Sequence, residues 1–244
     1  MSEPEAFEQE VQANIAALGH NERAKELSLE WLLCVAEDRY TYNFSWMGVP
    51  IIQFPHDILA MQEIIWRVKP DLIIETGVAR GGSVVFYASM LELLGNGGRV
   101  LGIDIDIREH NRQAIESHPM AKHITLFEGS SVSDEMAQRV REFANDAKTV
   151  LVVLDSNHTH QHVLRELELY APLTSVGSYC VVFDTVIEDV PEDYFPDRPW
   201  GRGDNPKTAV WQYVKQDERF EIDTSIHDKI QVTVAPDGYL RRVR

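Results

Sequence analysis

Between Leu72 and Asp184 five short apolar runs alternate with amphipathic segments, and nothing else in the 244 residues limits the fold as strongly. The runs are Leu72-Ile73-Ile74-Glu75, Val100-Leu101-Gly102-Ile103-Asp104, Ile124-Thr125-Leu126-Phe127, Val150-Leu151-Val152-Val153-Leu154-Asp155 and Tyr179-Cys180-Val181-Val182-Phe183-Asp184. Continuous Val/Ile/Leu stretches of this length suit strands covered on both faces, as in parallel sheets. Helical spacing of apolar residues fills the gaps, over 83–94, 109–117, 134–145 and 162–170. The alternation predicts an α/β chain with an open, doubly wound, mostly parallel sheet.

Upstream, 6–18 and 24–36 read as helices, the second with Asn21 as N-cap. The aromatic stretch 40–50 has no period and carries Gly48 and Pro50, so it reads as an ordered loop. Phe54-Pro55-His56-Asp57 opens a helix that stops at Lys69-Pro70. Downstream, 186–205 holds Pro191, Pro196, Pro199, Gly201 and Gly203 with no helical period. Such a segment is either a functional lid or an inert surface loop. Asn205-Pro206 then starts a helix over 207–215. Two final apolar stretches, 220–223 and 230–234, are expected to pair as an antiparallel hairpin. The division that follows is a helical extension with its aromatic loop, 1–55, and a ligand-binding domain, 56–244.

Charge and cysteine content exclude several roles. With 23 Lys+Arg against 39 Asp+Glu the net charge is −16, which disfavours nucleic acid and anionic lipid as partners. No stretch is apolar for long enough to span a membrane, and the acidic start Met1-Ser2-Glu3-Pro4-Glu5 is not a signal peptide. Cys34 and Cys180 form no CxxC and read as buried thiols of a reducing compartment, so the cytoplasm is the expected location.

Glu75, Asp104, Asp155 and Asp184 each end an apolar run, so they should gather along the sheet rim where such folds bind ligands. The first run continues as Glu75-Thr76-Gly77-Val78-Ala79-Arg80-Gly81-Gly82-Ser83. A dinucleotide loop would read Gly-x-Gly-x-x-Gly. The acid ahead of Gly77 would repel a pyrophosphate, and suits a ligand bearing an ammonium and a sulfonium. A plain strand-to-helix turn carries the same glycines. Asp104 is placed to accept both hydroxyls of a ribose. Asp106 reads as solvent-facing, and Ser130, in Glu128-Gly129-Ser130-Ser131, as a neighbour of an adenine.

The glycine loop with Gly102-Ile103-Asp104 resembles the S-adenosylmethionine site of class I methyltransferases. Adding Trp46-Met47-Gly48-Val49-Pro50 and Lys69-Pro70-Asp71, residues 40–240 resemble the cephalosporin hydroxylase/rhamnosyl O-methyltransferase family. The resemblance implies a Rossmann-like, seven-stranded sheet with a reversed last strand, and a homo-oligomer. It places the cofactor against Glu75, Gly77, Ala79, Gly81, Ser83, Asp104, Ser130 and Asp155. Similarity to catechol-type O-methyltransferases implies Mg²⁺ at Asp155 and Asp184, catalytic roles for Asp155 and His158, and His158 as general base. Phe183-Asp184-Thr185 offers one carboxylate where that group has two polar ligands. The alternative is that Asp155 and Asp184 position the methionine part or the substrate without an ion. His158, His160 and His162 alternate, but a loop entering a helix would not converge them on zinc. The rings from Tyr40 to Trp46 pack the core or wall an acceptor pocket, with Tyr42 and Trp46 as the pocket candidates. The expected activity is methyl transfer to a hydroxyl of a small acceptor, a sugar, glycoside or secondary metabolite. The alternatives are a cofactor-binding partner protein without turnover and an NAD(P)-dependent reductase.

Overall fold

A computed structural model describes residues 2–244, so Met1 of the expected extension lies outside the described residues. Two helices open the chain, α1 (Glu3–Gly19) and α2 (Glu22–Ala36), and Asn21 caps α2 by accepting the Ala24 amide. A 3-10 turn, Tyr40–Asn43, leads into β1 (Phe44–Trp46) and β2 (Val49–Ile51). The expected aromatic loop is therefore a small antiparallel hairpin. Its turn residues Met47 and Gly48 both have positive φ, 47° and 88°, which matches the twist of two-residue hairpins.

The sheet follows from the alternation already described. Its strands are β3 (Leu72–Thr76), β4 (Arg99–Asp104), β5 (Ile124–Glu128), β6 (Val150–Leu154), β7 (Tyr179–Val182), β8 (Phe220–Ile222) and β9 (Tyr239–Arg242), in the order β5-β4-β3-β6-β7-β9-β8. The first five are parallel; β9 runs antiparallel to β7 and β8. The helices are α3 (Pro55–Val68), α4 (Gly82–Leu94), α5 (Glu109–Glu116), α6 (Asp134–Ala144), α7 (His160–Tyr170), α8 (Pro206–Gln216) and α9 (Thr224–Ile230). Successive strand residues feed opposite layers: Ile73 packs with Ile64 and Phe86, Ile74 with Val140 and Leu167. A third apolar cluster joins Leu32 of α2 and Phe54 to Val186 and Val190.

The C-terminal antiparallel pair is present, but its second strand is β9 rather than 230–234. The reason is a tertiary contact. Thr233 donates its hydroxyl, and Val234 its amide at 3.1 Å, to the buried carboxylate of Asp57. The Val234 amide is thereby spent on a side chain of α3, its carbonyl accepts the Val186 amide, and Ile230 closes α9, so 230–234 adds no strand to the sheet. Among the described residues no helix is long and apolar enough to cross a membrane.

Candidate active site

The chain winds from β3 to β5 on one side, then returns to β6 on the other, which puts the switch point between the tips of β3 and β6. The Gly77 amide bonds the Ile103 carbonyl at 2.8 Å, and the Asp155 amide bonds Thr76 at 2.9 Å, so three strand tips are tied together. Gly77 has φ 90°, and a Cβ there would run into the Asp155 carbonyl. Asp104 Oδ2 accepts the amides of Val78 and Ala79 at 2.9 and 3.0 Å, which fixes the loop before any ligand arrives. Ala79 has φ 46°, and its carbonyl is held by Asn111 at 2.9 Å. Gly81, in the left-handed region, precedes α4. Ser83, on the first turn of that helix, donates to Glu75 Oε2 at 2.8 Å. Glu75 is 1 % exposed, and burial pushes its carboxyl up to about 8. Ser130 is half-buried, its carbonyl taking the Ser133 amide and hydroxyl; Asp106 faces solvent.

Adjacent parallel strands bring the next two acids together. Leu154 is paired with Val182, so Asp155 and Asp184 leave β6 and β7 side by side. Asp184 takes a left-handed backbone, φ 56°. Asp155, His158 and Asp184 each offer a ligand atom, all within 4.8 Å of one another. His158 Nε2 faces Asp184 Oδ2 at 3.4 Å. Burial holds the Asp155 carboxyl well above the usual range, and the charges adding most to this are Asp184, Glu75, Glu166 and Asp57. The other two histidines turn elsewhere. His160 bonds Thr208 and Gln212 at 2.8 and 3.1 Å, and His162 bonds Ser131 and Ser156 at 3.2 and 3.1 Å.

A cavity of about 490 Å³ opens over this cluster, between α2 and the 186–205 segment. Tyr40, Tyr42, Phe54, Tyr194 and Phe195 wall it, with His158 and Asp184 among the polar groups. Of the two pocket candidates, Tyr42 lines the cavity. Trp46 does not; its indole donates to Ser89 at 2.9 Å and packs on Phe86. Two further residues reach the site. Gln53 is 7 % exposed and points Nε2 at Asp155 Oδ2 from 3.4 Å, while its Oε1 is buried without a donor. Trp200 sets its ring edge-to-face on His158, centroids 4.8 Å apart. Gln53 had a faint signal, as a lone polar residue in Ile51-Ile52-Gln53-Phe54-Pro55; Trp200 had none.

Comparison with known proteins gives consistent matches. The family described as Rhamnosyl O-methyltransferase/CmcI matches residues 38–243. The rhamnosyl O-methyltransferase of Mycobacterium tuberculosis is 31 % identical over 203 residues, covering 81 % of this chain and 78 % of the relative. That of Mycobacterium leprae is 30 % identical over 200 residues, covering 81 % and 82 %. Among solved structures, CmcI with Mg and SAM superposes with a TM-score of 0.59 at 19 % identity, over 83 % of this chain and 78 % of the other. An O-methyltransferase from Bacillus cereus in complex with SAH does so at 0.52 and 18 %, over 80 % and 81 %. At such identities the superpositions speak to the fold.

Proposed function

The chain belongs to the Rhamnosyl O-methyltransferase/CmcI family, and on that premise we propose that it moves the methyl group of S-adenosylmethionine onto a hydroxyl of a small acceptor, a sugar ring or glycoside first among them. The observation that supports this most is the meeting of Asp155, His158 and Asp184 beside the glycine loop, under an aromatic cavity. Flat rings such as Tyr40 and Tyr42 offer apolar area to the face of a sugar. The curated relatives carry the name of rhamnosyl methylation.

In this reading Glu75, Gly77, Ala79, Gly81, Ser83, Asp104 and Ser130 hold S-adenosylmethionine, and Asp155 takes its methionine end. A cationic ligand supplies the charge that burial denies Glu75. His158 removes the proton of the acceptor hydroxyl as general base. Asp184, 3.4 Å from Nε2, stabilises the imidazolium that forms. The hydroxyl oxygen bonds the methyl carbon as the C–S bond breaks and its electron pair stays on sulfur. The products are a methyl ether and S-adenosylhomocysteine.

Two neighbouring carboxylates flanked by further acids fit a hard divalent cation. Asp155 and Asp184 would hold Mg²⁺, which when bound lowers the pKa of the acceptor hydroxyl.

The test is incubation with S-adenosylmethionine, Mg²⁺ and a panel of aryl and alkyl rhamnosides, read by mass spectrometry. Singly methylated product that EDTA suppresses is the expected result. Binding of S-adenosylhomocysteine with no turnover of any hydroxylated acceptor would return the chain to the role of a cofactor-binding partner protein.

A further inference from the structure

We infer that Trp200 is a positioning residue for His158, carried to the imidazole by the 189–204 loop, whose ends are clasped beside the site. The inference rests on His158 being the base.

An imidazole on a short side chain still turns about its ring torsion. Here two groups restrict it from different directions. Asp184 Oδ2 faces the Nε2 edge at 3.4 Å, and Trp200 meets the ring at an interplanar angle of 90°. Edge-to-face is a preferred geometry of packed rings, so the contact favours one orientation of the imidazole. Removing the indole leaves Asp184 as one constraint where two held the ring.

The loop carrying Trp200 is anchored to the turn carrying His158. Glu188 accepts the Gly203 amide at 2.8 Å and the Asn205 side-chain amide, which also bonds the Gly201 carbonyl at 2.9 Å. Residues 188 and 205 are thereby held together, closing 189–204 into a compact loop. Lys207, 7 % exposed, grips both carboxylate oxygens of Asp189 at 2.8 and 2.7 Å. At the far end, Asp204 Oδ1 accepts the backbone amide of His160 at 2.7 Å. The His160 ring in turn bonds Thr208 and Gln212 of α8. The C-terminal stem of the loop and the start of α7, two residues beyond His158, therefore form one bonded unit. The same loop lends Tyr194 and Phe195 to the cavity wall. A single element thus shapes the acceptor pocket and holds the ring that orients the base.

The experiment compares Trp200→Ala, Trp200→Phe and His158→Gln in the full chain. The readouts are the NMR signals of the His158 ring, kcat and KM on a rhamnoside turned over by the wild type, and calorimetric affinity for S-adenosylhomocysteine. Trp200→Ala is expected to displace the His158 signals and lower kcat about 10²-fold, the scale of a slightly misplaced catalytic group. Affinity for S-adenosylhomocysteine stays at the wild-type value, and Trp200→Phe restores most of kcat. His158 signals that stay at their wild-type positions in Trp200→Ala would overturn the inference. So would displaced signals with unchanged kcat while His158→Gln is impaired. If His158→Gln itself turns over normally, the base assignment fails and the inference with it, although the ring contact would still be read in the signals.

Discussion

Gly77 and the Asp155 carbonyl are packed so closely that no side chain fits between them. Gly77→Ala would force the tip of β6 away from the glycine loop at a residue already at φ 90°. Backbone strain of about 1–3 kcal/mol and overpacking of about 1–3 kcal/mol make a loss near 2–6 kcal/mol. Urea unfolding measures it, and S-adenosylhomocysteine affinity should fall as Asp155 moves. Gly48→Ala is the control. It has φ 88°, but a Cβ there meets nothing, so the strain alone should appear.

Glu75 predicts the pH dependence of the free protein. Its carboxyl is raised from 4.5 to about 8, so the folded chain keeps a proton that the unfolded chain releases. Stability is then greatest below pH 4.5 and falls as pH climbs towards 8. Complete loss of that proton corresponds to roughly 5 kcal/mol for such a shift. Asp57, raised to about 6, acts in the same direction. Asp217, lowered to about 2, acts oppositely below pH 4, and His227, which burial holds below 6.5, opposes the trend below pH 6.5 without reversing the larger effect of Glu75. Thermal unfolding should show the midpoint dropping between pH 5 and pH 8, and Glu75→Gln should flatten the slope. If Glu75 meets a cationic ligand, binding at pH 7 releases a proton, which calorimetry in two buffers of different ionisation enthalpy detects.

The strands β3 to β7 fall within a residue or two of the apolar runs because burial on both faces leaves no competing pattern. The acids at their ends were legible for the same reason: parallel register puts Glu75, Asp104, Asp155 and Asp184 on one rim. Where the reading went astray, a distant partner decided the outcome. Ile230-Gln231-Val232-Thr233-Val234 has a strand-like composition, yet Asp57, 176 residues from Thr233, takes its polar groups. Trp46 was drawn into the core by Ser89 and Phe86. Gln53 and Trp200 owe their places to tertiary contacts that no periodicity encodes.

Asp184→Asn and His158→Gln separate the two duties of the acidic cluster. All three ligand atoms lie within 4.8 Å, so the imidazole is also within reach of an ion held by the carboxylates. The proposed division makes Asp184 a ligand and His158 a base. Asp184→Asn should then raise the Mg²⁺ concentration for half-maximal activity by about 10-fold or more. His158→Gln should lower kcat by about 10²–10⁴-fold and leave that concentration unchanged. A Mg²⁺ requirement that shifts in His158→Gln would make the imidazole a third ligand instead.

Gln53→Leu tests whether the orphaned amide oxygen waits for a ligand. A buried acceptor without a donor costs about 1–3 kcal/mol, and leucine of similar size removes it. The amide nitrogen contributes little to offset this, at 3.4 Å from Asp155 Oδ2. The unliganded variant should therefore melt at the wild-type temperature or above. If a hydrogen-bond donor of the cofactor or acceptor completes Gln53, the variant should bind that ligand about 10-fold more weakly, the scale of one such bond. Calorimetry with S-adenosylhomocysteine reads the cofactor arm, and KM for a rhamnoside reads the acceptor arm. A lower melting temperature with both arms unchanged would instead make Gln53 part of the scaffold that carries Asp155.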